Sequence, residues 1–160
     1  MTSADETPEE LTPEQAAHGL AAERERRLGH IESLRQAGTN PYPYRFDRTH
    51  TLAEIRATWG HLEAGTETEN EVAIAGRIML KREQGKLIFG TVRDRSSDIQ
   101  LFVSKAVIGD EGFADVASLD LGDWVGVYGN VMTTRKGELS IKVSRLELLS
   151  KAVRPLPNKW

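Results

Sequence analysis

The sequence of 160 residues contains no cysteine and no long apolar run, and each absence removes a class of protein. Without cysteine there is no disulfide scaffold, no thiolate chemistry and no sulfur-ligated zinc or iron site. No apolar stretch approaches the roughly 18 residues that a membrane-spanning helix needs. The acidic start of the chain lacks the basic and apolar regions of a signal peptide. We therefore expect a cytoplasmic protein without a membrane partner.

Sequence motifs for catalysis and for metal binding are also missing. The phosphate cradle GxxxxGK[ST] does not occur, because Gly85-Lys86 is followed by leucine, and neither GxGxxG nor GxSxG is present. Metal-ligand spacing is equally absent from the four histidines, which are His18, His30, His50 and His61. We therefore expect no catalytic residue and no metal ligand, and the sequence favours a binding function.

The net charge of −3 conceals an uneven distribution of charge along the chain. Residues 1–40 carry a net charge of −4 and residues 41–70 carry −2, whereas residues 71–160 carry +3. The segment from Arg77 to Arg95 alone holds six bases against two acids. Such bases either bind the phosphates of a nucleic acid, with salt-sensitive affinity, or form an ordinary solvated face. The basic segment keeps a nucleic-acid partner open in spite of the acidic total.

The N-terminal part of the sequence predicts an acidic tail followed by a long helix. Residues 1–12 contain only two large apolar side chains, Met1 and Leu11, which is too little to offset the entropy of ordering, so they are predicted to be disordered. Thr12-Pro13 is typical of a helix start, and Gly38 is typical of a helix stop. We expect a helix over residues 13–37, which either packs on a neighbouring element or contacts RNA.

A proline- and tyrosine-rich segment separates this helix from the next one. Residues 40–44 (NPYPY) are predicted to be extended, because proline fixes its own φ and restricts the preceding residue. The segment is either a stiff connector or a ligand for an aromatic-lined groove of another protein. A short helix over residues 52–59 and a polar loop over residues 61–70 follow. Residues 13–70 therefore form an N-terminal unit.

Alternating apolar and polar residues after this unit predict five short strands. The third and fourth are separated by a helix-like crossover over residues 104–119, and the strands cover residues 72–80, 87–92, 99–103, 124–131 and 139–149. This order is typical of the oligonucleotide-binding (OB) fold, a Greek-key barrel. A small β-sandwich is the alternative. We predict a β-barrel with helices, in which a five-stranded OB-fold over residues 71–151 is preceded by an N-terminal α-helix and followed by a linker over residues 152–160.

Two side chains of the predicted barrel suit recognition of unpaired bases. Phe89 on the second strand can form a stacking platform for a base. Gln100 on the third strand carries both a donor and an acceptor for a base edge. An ordinary core residue is the alternative interpretation of Phe89.

Short motifs along the chain add a family resemblance to this interpretation. In order, they are LRQAG at 34–38, NPYP at 40–43, VAIAGR at 72–77, IQLF at 99–102, GELSI at 137–141 and KAVRPLPNKW at 151–160. Over about residues 24–160, their order and type resemble the N-terminal region of bacterial-type class II lysyl-tRNA synthetases, the lysine–tRNA ligases.

The resemblance implies that the barrel binds a tRNA anticodon. Phe89 would stack on an anticodon base, Gln100 would read the central uridine, and Glu138 would contribute near the last hairpin. Arg77 would add a contact on the first strand. Phosphate contacts are expected from the N-terminal helix and the basic segment, at Arg24, Arg27, Lys81, Lys86 and Arg93.

The resemblance also implies a partner and a parent reaction. The family attaches lysine to tRNA-Lys through a lysyl-adenylate, using ATP and Mg²⁺ in a catalytic domain, and forms homodimers. The chain ends at Trp160, before the three class II motifs, so we expect it to need no cofactor and to be inactive alone. An aspartyl or asparaginyl relative, a stand-alone OB-fold binder of single-stranded nucleic acid and a protein-interaction module are the alternatives.

Overall fold

The computed structural model describes residues 10–157 of the protein. In this part of the chain the helices are α1 (Pro13–Gln36), α2 (Leu52–Trp59) and α3 (Lys105–Ala117). The strands are β1 (Glu67–Gln84), β2 (Leu87–Arg93), β3 (Asp98–Ser104), β4 (Trp124–Thr133) and β5 (Leu139–Ser150). Most of the predicted acidic tail and the end of the predicted linker lie outside the described residues.

The five strands form a closed barrel in the order β1-β2-β3-β5-β4. Neighbouring strands are antiparallel except for β3 and β5, which are parallel, and the pairing of β1 with β4 closes the barrel. The crossover between β3 and β4 is α3, which kinks at Gly109, where φ is 84°. The predicted OB-fold is confirmed, and the β-sandwich alternative is wrong.

Each of the first two helices is capped by a threonine, and for α1 this is the predicted Thr12. Thr12 accepts a hydrogen bond from the backbone amide of Gln15, and the Gln15 side chain accepts one from the Thr12 amide. Thr51 and Glu54 make the same reciprocal pair at the start of α2. Each pair satisfies two backbone donors that a helix start leaves free. After α1 the chain turns at Gly38, whose φ of 81° favours glycine.

The first strand begins earlier than the sequence suggested. The predicted polar loop is wrong from Glu67 onward, because the backbone from there already pairs with β4. The Thr68 hydroxyl donates to the Val131 carbonyl at 2.7 Å, and Asn130 donates to the Thr68 carbonyl at 3.2 Å. Side-chain hydrogen bonds rather than apolar burial hold this part of β1, so it lacks the apolar alternation by which strands are recognised.

Helix α2 is anchored to the barrel by the turn between β2 and β3. Leu52 and Ile55 of α2 are completely buried in the core. The Asp94 carboxylate accepts a hydrogen bond from the Leu52 amide at 3.0 Å, and the Ser96 hydroxyl accepts one from the Ala53 amide at 3.0 Å. Asp94 also accepts a hydrogen bond from the Ser96 amide at 2.7 Å, within the turn itself. The turn therefore caps α2 and places its apolar face against the barrel.

A buried cluster of ion pairs attaches α1 and the chain after β5 to the barrel. The Lys151 ammonium lies 2.8 and 3.0 Å from the two carboxylate oxygens of Asp123, and neither side chain is exposed. Asp120 accepts a further bond from Lys151 at 2.6 Å and one from Arg26 of α1 at 2.5 Å. We call these four side chains the Asp123 cluster. It joins three chain segments that are distant in sequence.

The proline- and tyrosine-rich segment packs on the barrel. The Tyr42 hydroxyl donates to the Lys151 carbonyl at 2.9 Å. The Phe46 ring lies so close to the backbone of β4 that a Cβ at Gly126 would collide with it. Tyr44, in contrast, is fully exposed. The stiff-connector interpretation therefore accounts for Tyr42, and Tyr44 remains free to contact another molecule.

Several acidic groups of the fold have lowered pKa values. Hydrogen bonds from Arg26 and Arg27 hold the pKa of Glu23 at about 2 instead of 4.5. Burial alone would raise the pKa of Asp120, but hydrogen bonds from Lys151 and Arg26 outweigh it and lower the value. A carboxyl group with a lowered folded-state pKa stabilises the fold above its unfolded pKa, and this stabilisation disappears as the pH falls.

We therefore expect the free energy of unfolding to fall in acid. Burial and then the nearby Lys151 lower the pKa of His30 below 6.5, so loss of stability should begin near that pH. The loss should steepen below pH 4.5 as Glu23 is protonated in the unfolded chain. Urea unfolding measured in steps of pH checks this, and His30→Gln should remove only the first part. A free energy of unfolding that rises as the pH is lowered from 7 to 4 would contradict the prediction.

Candidate nucleic-acid interface

A groove of about 940 Å³ lies on the outer face of the barrel, between the β1–β2 turn and the β4–β5 turn. It brings together Phe89, Gln100 and Glu138, three of the four residues predicted to contact the anticodon. Strands 2 and 3 with these two loops form the usual ligand face of OB-folds. Other lining residues include Glu67, Arg82, Leu87, Phe102, Arg135 and Lys136.

The strand register places these side chains in rows across the face. Phe89 lies between Arg82 on β1 and Phe102 on β3, and Thr91 lies beside Gln100. On β2 and β3 these residues alternate with buried ones, which point into the core. The alternation that builds the core thus also builds the groove.

Phe89 is supported from two sides. It is half-buried and does not belong to the buried core, so the alternative of an ordinary core residue is wrong. Its ring meets the Phe102 ring edge to face at a centroid distance of 5.5 Å. The guanidinium carbon of Arg82 lies 5.6 Å from its centroid. A ring fixed in this way offers an unpaired base a stacking surface at low entropic cost, and base stacking stays a prediction.

Gln100 and Glu138 are connected through a buried hydroxyl group. The Ser140 hydroxyl lies 2.9 Å from Oε1 of Gln100 and 3.1 Å from the carbonyl oxygen of Glu138. Ser140 is completely buried, so this contact is shielded from water. It engages one end of the Gln100 amide and leaves the other end for a base edge. The exposed Glu138 side chain adds an acceptor in the same groove.

The groove contains more positive charge than the predicted set of site residues suggests. Arg82, Arg135 and Lys136 line it, against Glu67 and Glu138. None of these three basic residues was among the predicted contacts. Two signals could have identified them: the position of Arg82 opposite Phe89 in an antiparallel pair, and the role of the β4–β5 loop in OB-folds.

The predicted phosphate contact at Arg27 is wrong. Its side chain is buried, with 4% of the residue exposed. One guanidinium nitrogen donates to the carbonyl oxygens of Leu121, Ala152 and Arg154 at 3.2–3.3 Å, and Nε donates to Glu23 at 2.8 Å. Arg27 therefore fastens α1 to the barrel, and its donors are unavailable to RNA.

The predicted phosphate contact at Lys81 is also wrong. Its ammonium group donates to the carbonyl oxygens of Ala117 and Leu119, both at 2.5 Å. These carbonyls lie at the end of α3, where a cation also interacts favourably with the helix dipole. Burial lowers the pKa of Lys81. Lys81 pairs with Gly90 in register, on the opposite side of β1 from the groove residue Arg82.

The remaining predicted contacts lie outside the groove. Arg24 is exposed on α1, and Lys86 is exposed in the β1–β2 turn. Arg93 is exposed on β2, where it lies 3.2 Å from Asp98. Arg77 is exposed on β1 and stacks on Trp124 of β4. RNA contacts by these four basic residues stay predictions.

Residues 10–157 hold neither a metal-binding cluster nor a membrane-spanning helix. No group of three or more His, Asp or Glu side chains in this range is arranged to hold a metal ion. None of the helices described here is both long enough and apolar enough to cross a membrane.

Comparison with known proteins agrees with the barrel fold. Residues 72–149 match the tRNA anti-codon family, described as an OB-fold nucleic acid binding domain. The fold and this match assign that part of the chain to the OB-fold nucleic acid binding domains.

Over most of its length the chain is similar to lysine–tRNA ligases, which confirms the resemblance carried by its motifs. It is 46% identical over 138 residues to the enzyme of a Synechococcus species, covering 86% of this chain and 28% of that protein. It is 43% identical over 146 residues to the enzyme of Nostoc punctiforme, covering 86% and 26%. For the enzyme of Prochlorococcus marinus the identity is 39% over 150 residues, covering 88% and 30%. The chain thus spans less than a third of the length of these relatives.

Proposed function

We propose that this chain is the anticodon-binding part of a lysine–tRNA ligase and that its groove holds the uridine-rich anticodon of tRNA-Lys. One observation carries the proposal. Phe89, Gln100 and Glu138 line a single groove of an OB-fold barrel, in a chain 46% identical to a lysine–tRNA ligase.

Each groove residue has a defined task in this proposal. The Phe89 ring stacks on one base of the unpaired loop, as is usual for single-stranded RNA. The free end of the Gln100 amide binds the edge of the central uridine, and the Glu138 carboxylate accepts a hydrogen bond from a base N–H group. Arg82 and the basic side chains of the β4–β5 turn, Arg135 and Lys136, neutralise neighbouring phosphates.

The chemistry of ligation belongs to a longer protein in this proposal. Attachment of lysine to tRNA with ATP and Mg²⁺, homodimer formation and action in the cytoplasm are assigned to the whole ligase. The described residues contribute recognition. The chain alone should therefore bind tRNA-Lys and leave it uncharged.

A titration with two RNAs tests the proposal. The anticodon stem-loop of tRNA-Lys and a version with an exchanged anticodon are bound to the chain at two salt concentrations, with fluorescence anisotropy as the readout. We expect the lysine stem-loop to bind about tenfold more tightly or better, since each unpaired buried polar group costs about 1–3 kcal/mol. Both RNAs should bind more weakly at high salt.

Gln100→Ala sharpens this test, because it removes the side chain proposed to read the base. The preference for the lysine anticodon should shrink, while the salt dependence stays as in the wild type. Ser140→Ala is the matched control. It keeps the Gln100 amide and removes only its buried hydrogen-bond partner, so the preference for the lysine anticodon should shrink less.

Other outcomes separate the alternatives. Equal affinity for both stem-loops would indicate a general binder of single-stranded nucleic acid. Preference for an aspartate or asparagine anticodon would favour an aspartyl or asparaginyl relative. An absence of RNA binding at low salt would favour a protein-interaction module.

A further inference from the structure

A second cluster of basic and aromatic side chains lies on the same outer face as the groove. Arg77, Arg93, Arg95 and Trp124 surround a depression of about 380 Å³. Arg93 is four residues from Phe89 along β2, a separation of about 13 Å. A base stacked on Phe89 therefore cannot fill this depression.

The strand register arranges the cluster as a row across three strands. Trp124 on β4 is the direct neighbour of Arg77 on β1, and Arg77 is the direct neighbour of Arg93 on β2. The guanidinium carbon of Arg77 lies 5.3 Å from the centroid of the Trp124 ring. A guanidinium held against a ring in this way is already ordered before a ligand arrives, which reduces the entropic cost of binding.

Two acids lie near the three arginines of the cluster, Asp94 in its lining and Asp98 beside Arg93. Asp94 is 9% exposed, and its carboxylate accepts hydrogen bonds from Ser96 and from the amides of Leu52 and Ser97. Burial alone would raise the pKa of Asp94, but these hydrogen bonds outweigh it and lower the value. Asp94 also lines the depression, and these donors engage its carboxylate there. Asp98 lies between Arg93, at 3.2 Å, and Arg56, at 3.7 Å. The cluster therefore keeps an excess of positive charge.

The surface between this cluster and the groove is also recessed. Between them lies a smaller depression of about 250 Å³, lined by Leu80, Thr91, Gln100 and Phe89. Leu80 is 61% exposed there, although it is a large apolar residue. An RNA strand that leaves the groove along β1 and β2 would cross this apolar surface and reach the cluster. Planar guanidinium groups suit the paired oxygens of a phosphate.

We propose that Arg77, Arg93, Arg95 and Trp124 form a second RNA subsite, which binds the phosphate backbone next to the bases held in the groove. This inference rests on the proposed function. It separates Arg77 from the residues that read bases and adds Arg95 and Trp124, which the sequence did not single out. The subsite contributes affinity and carries no sequence information.

The double variant Arg77→Gln, Arg95→Gln tests the subsite with the same two stem-loops. Affinity for both RNAs should fall by the same factor, about tenfold or more, so that the preference for the lysine anticodon is unchanged. The slope of log affinity against log salt should become smaller by about 0.7 for each phosphate that the variant no longer neutralises. Arg145→Gln is the matched control, since Arg145 stacks on Tyr128 at 4.1 Å elsewhere on the barrel.

Neutral methylphosphonate groups introduced singly along the RNA loop locate the bound phosphate. At one or more phosphates flanking the anticodon, the substitution should weaken binding to the wild type and leave binding to the double variant unchanged. A double variant with wild-type affinity, or with an altered anticodon preference, would overturn the subsite alone. If the wild type binds neither stem-loop, the proposed function fails and the subsite fails with it.

Discussion

Replacing Asp123 by alanine should destabilise the protein by about 3–5 kcal/mol, the typical cost of removing one partner from a buried ion pair. Asp123 and Lys151 both have completely buried side chains, and each Asp123 oxygen also accepts a backbone amide, from Ala152 or from Asp120. The variant leaves the Lys151 ammonium with Asp120 alone and leaves two amides without acceptors. Urea unfolding followed by circular dichroism measures the decrease in stability.

Two further variants show whether the decrease arises from the buried charge. Glu147→Ala breaks the exposed pair of Glu147 with Arg145, at 4.0 Å, and should cost less than about 1 kcal/mol. The double variant Asp123→Leu, Lys151→Met removes both buried charges and should be more stable than Asp123→Ala. If Asp123→Ala costs no more than Glu147→Ala, the Asp123 cluster does not anchor α1 and the chain after β5.

The barrel could be predicted because its determinants are local in sequence. Alternating residues define the strands, and glycines mark the turns, where Gly85 and Gly137 adopt φ values of 59° and 87°. Register then brings Phe89 and Gln100 to one face, since their strands are consecutive and joined by a tight turn. The resemblance to lysine–tRNA ligases added Glu138, which no local pattern marks.

The roles of individual basic side chains could not be predicted in the same way. Arg27 lies in a run of charged residues that includes Arg24 and Arg26, and its sequence context resembles theirs. Its carbonyl acceptors lie 94 to 127 residues away along the chain, so only the tertiary fold distinguishes it. The same holds for Lys81, whose carbonyl acceptors lie 36 and 38 residues away. The sequence therefore shows how many basic residues are present. Which of them are available to contact RNA becomes clear only once their contacts within the protein are known.

Phe89→Ala should weaken binding of the lysine stem-loop by about 1–3 kcal/mol, or roughly five- to 150-fold, because the base loses its stacking surface. The fold should tolerate the change, since Phe89 lies outside the buried core and is not enclosed on the groove side. Phe89→Trp keeps an aromatic face and should retain most of the affinity. Anisotropy titration gives the affinities, and thermal unfolding of the same samples gives the stability.

Tyr128→Ala provides the matched control for Phe89→Ala. Tyr128 is also half-buried and carries a guanidinium on its ring, from Arg145, but it faces away from the groove lining. It should lose its own packing with Phe46 and leave RNA affinity unchanged. If Phe89→Ala instead unfolds the barrel at assay temperature while Phe89→Leu folds and binds like the wild type, the ring serves packing. In that case base recognition rests on Gln100 and the basic side chains, because an aliphatic residue offers no π-face for stacking.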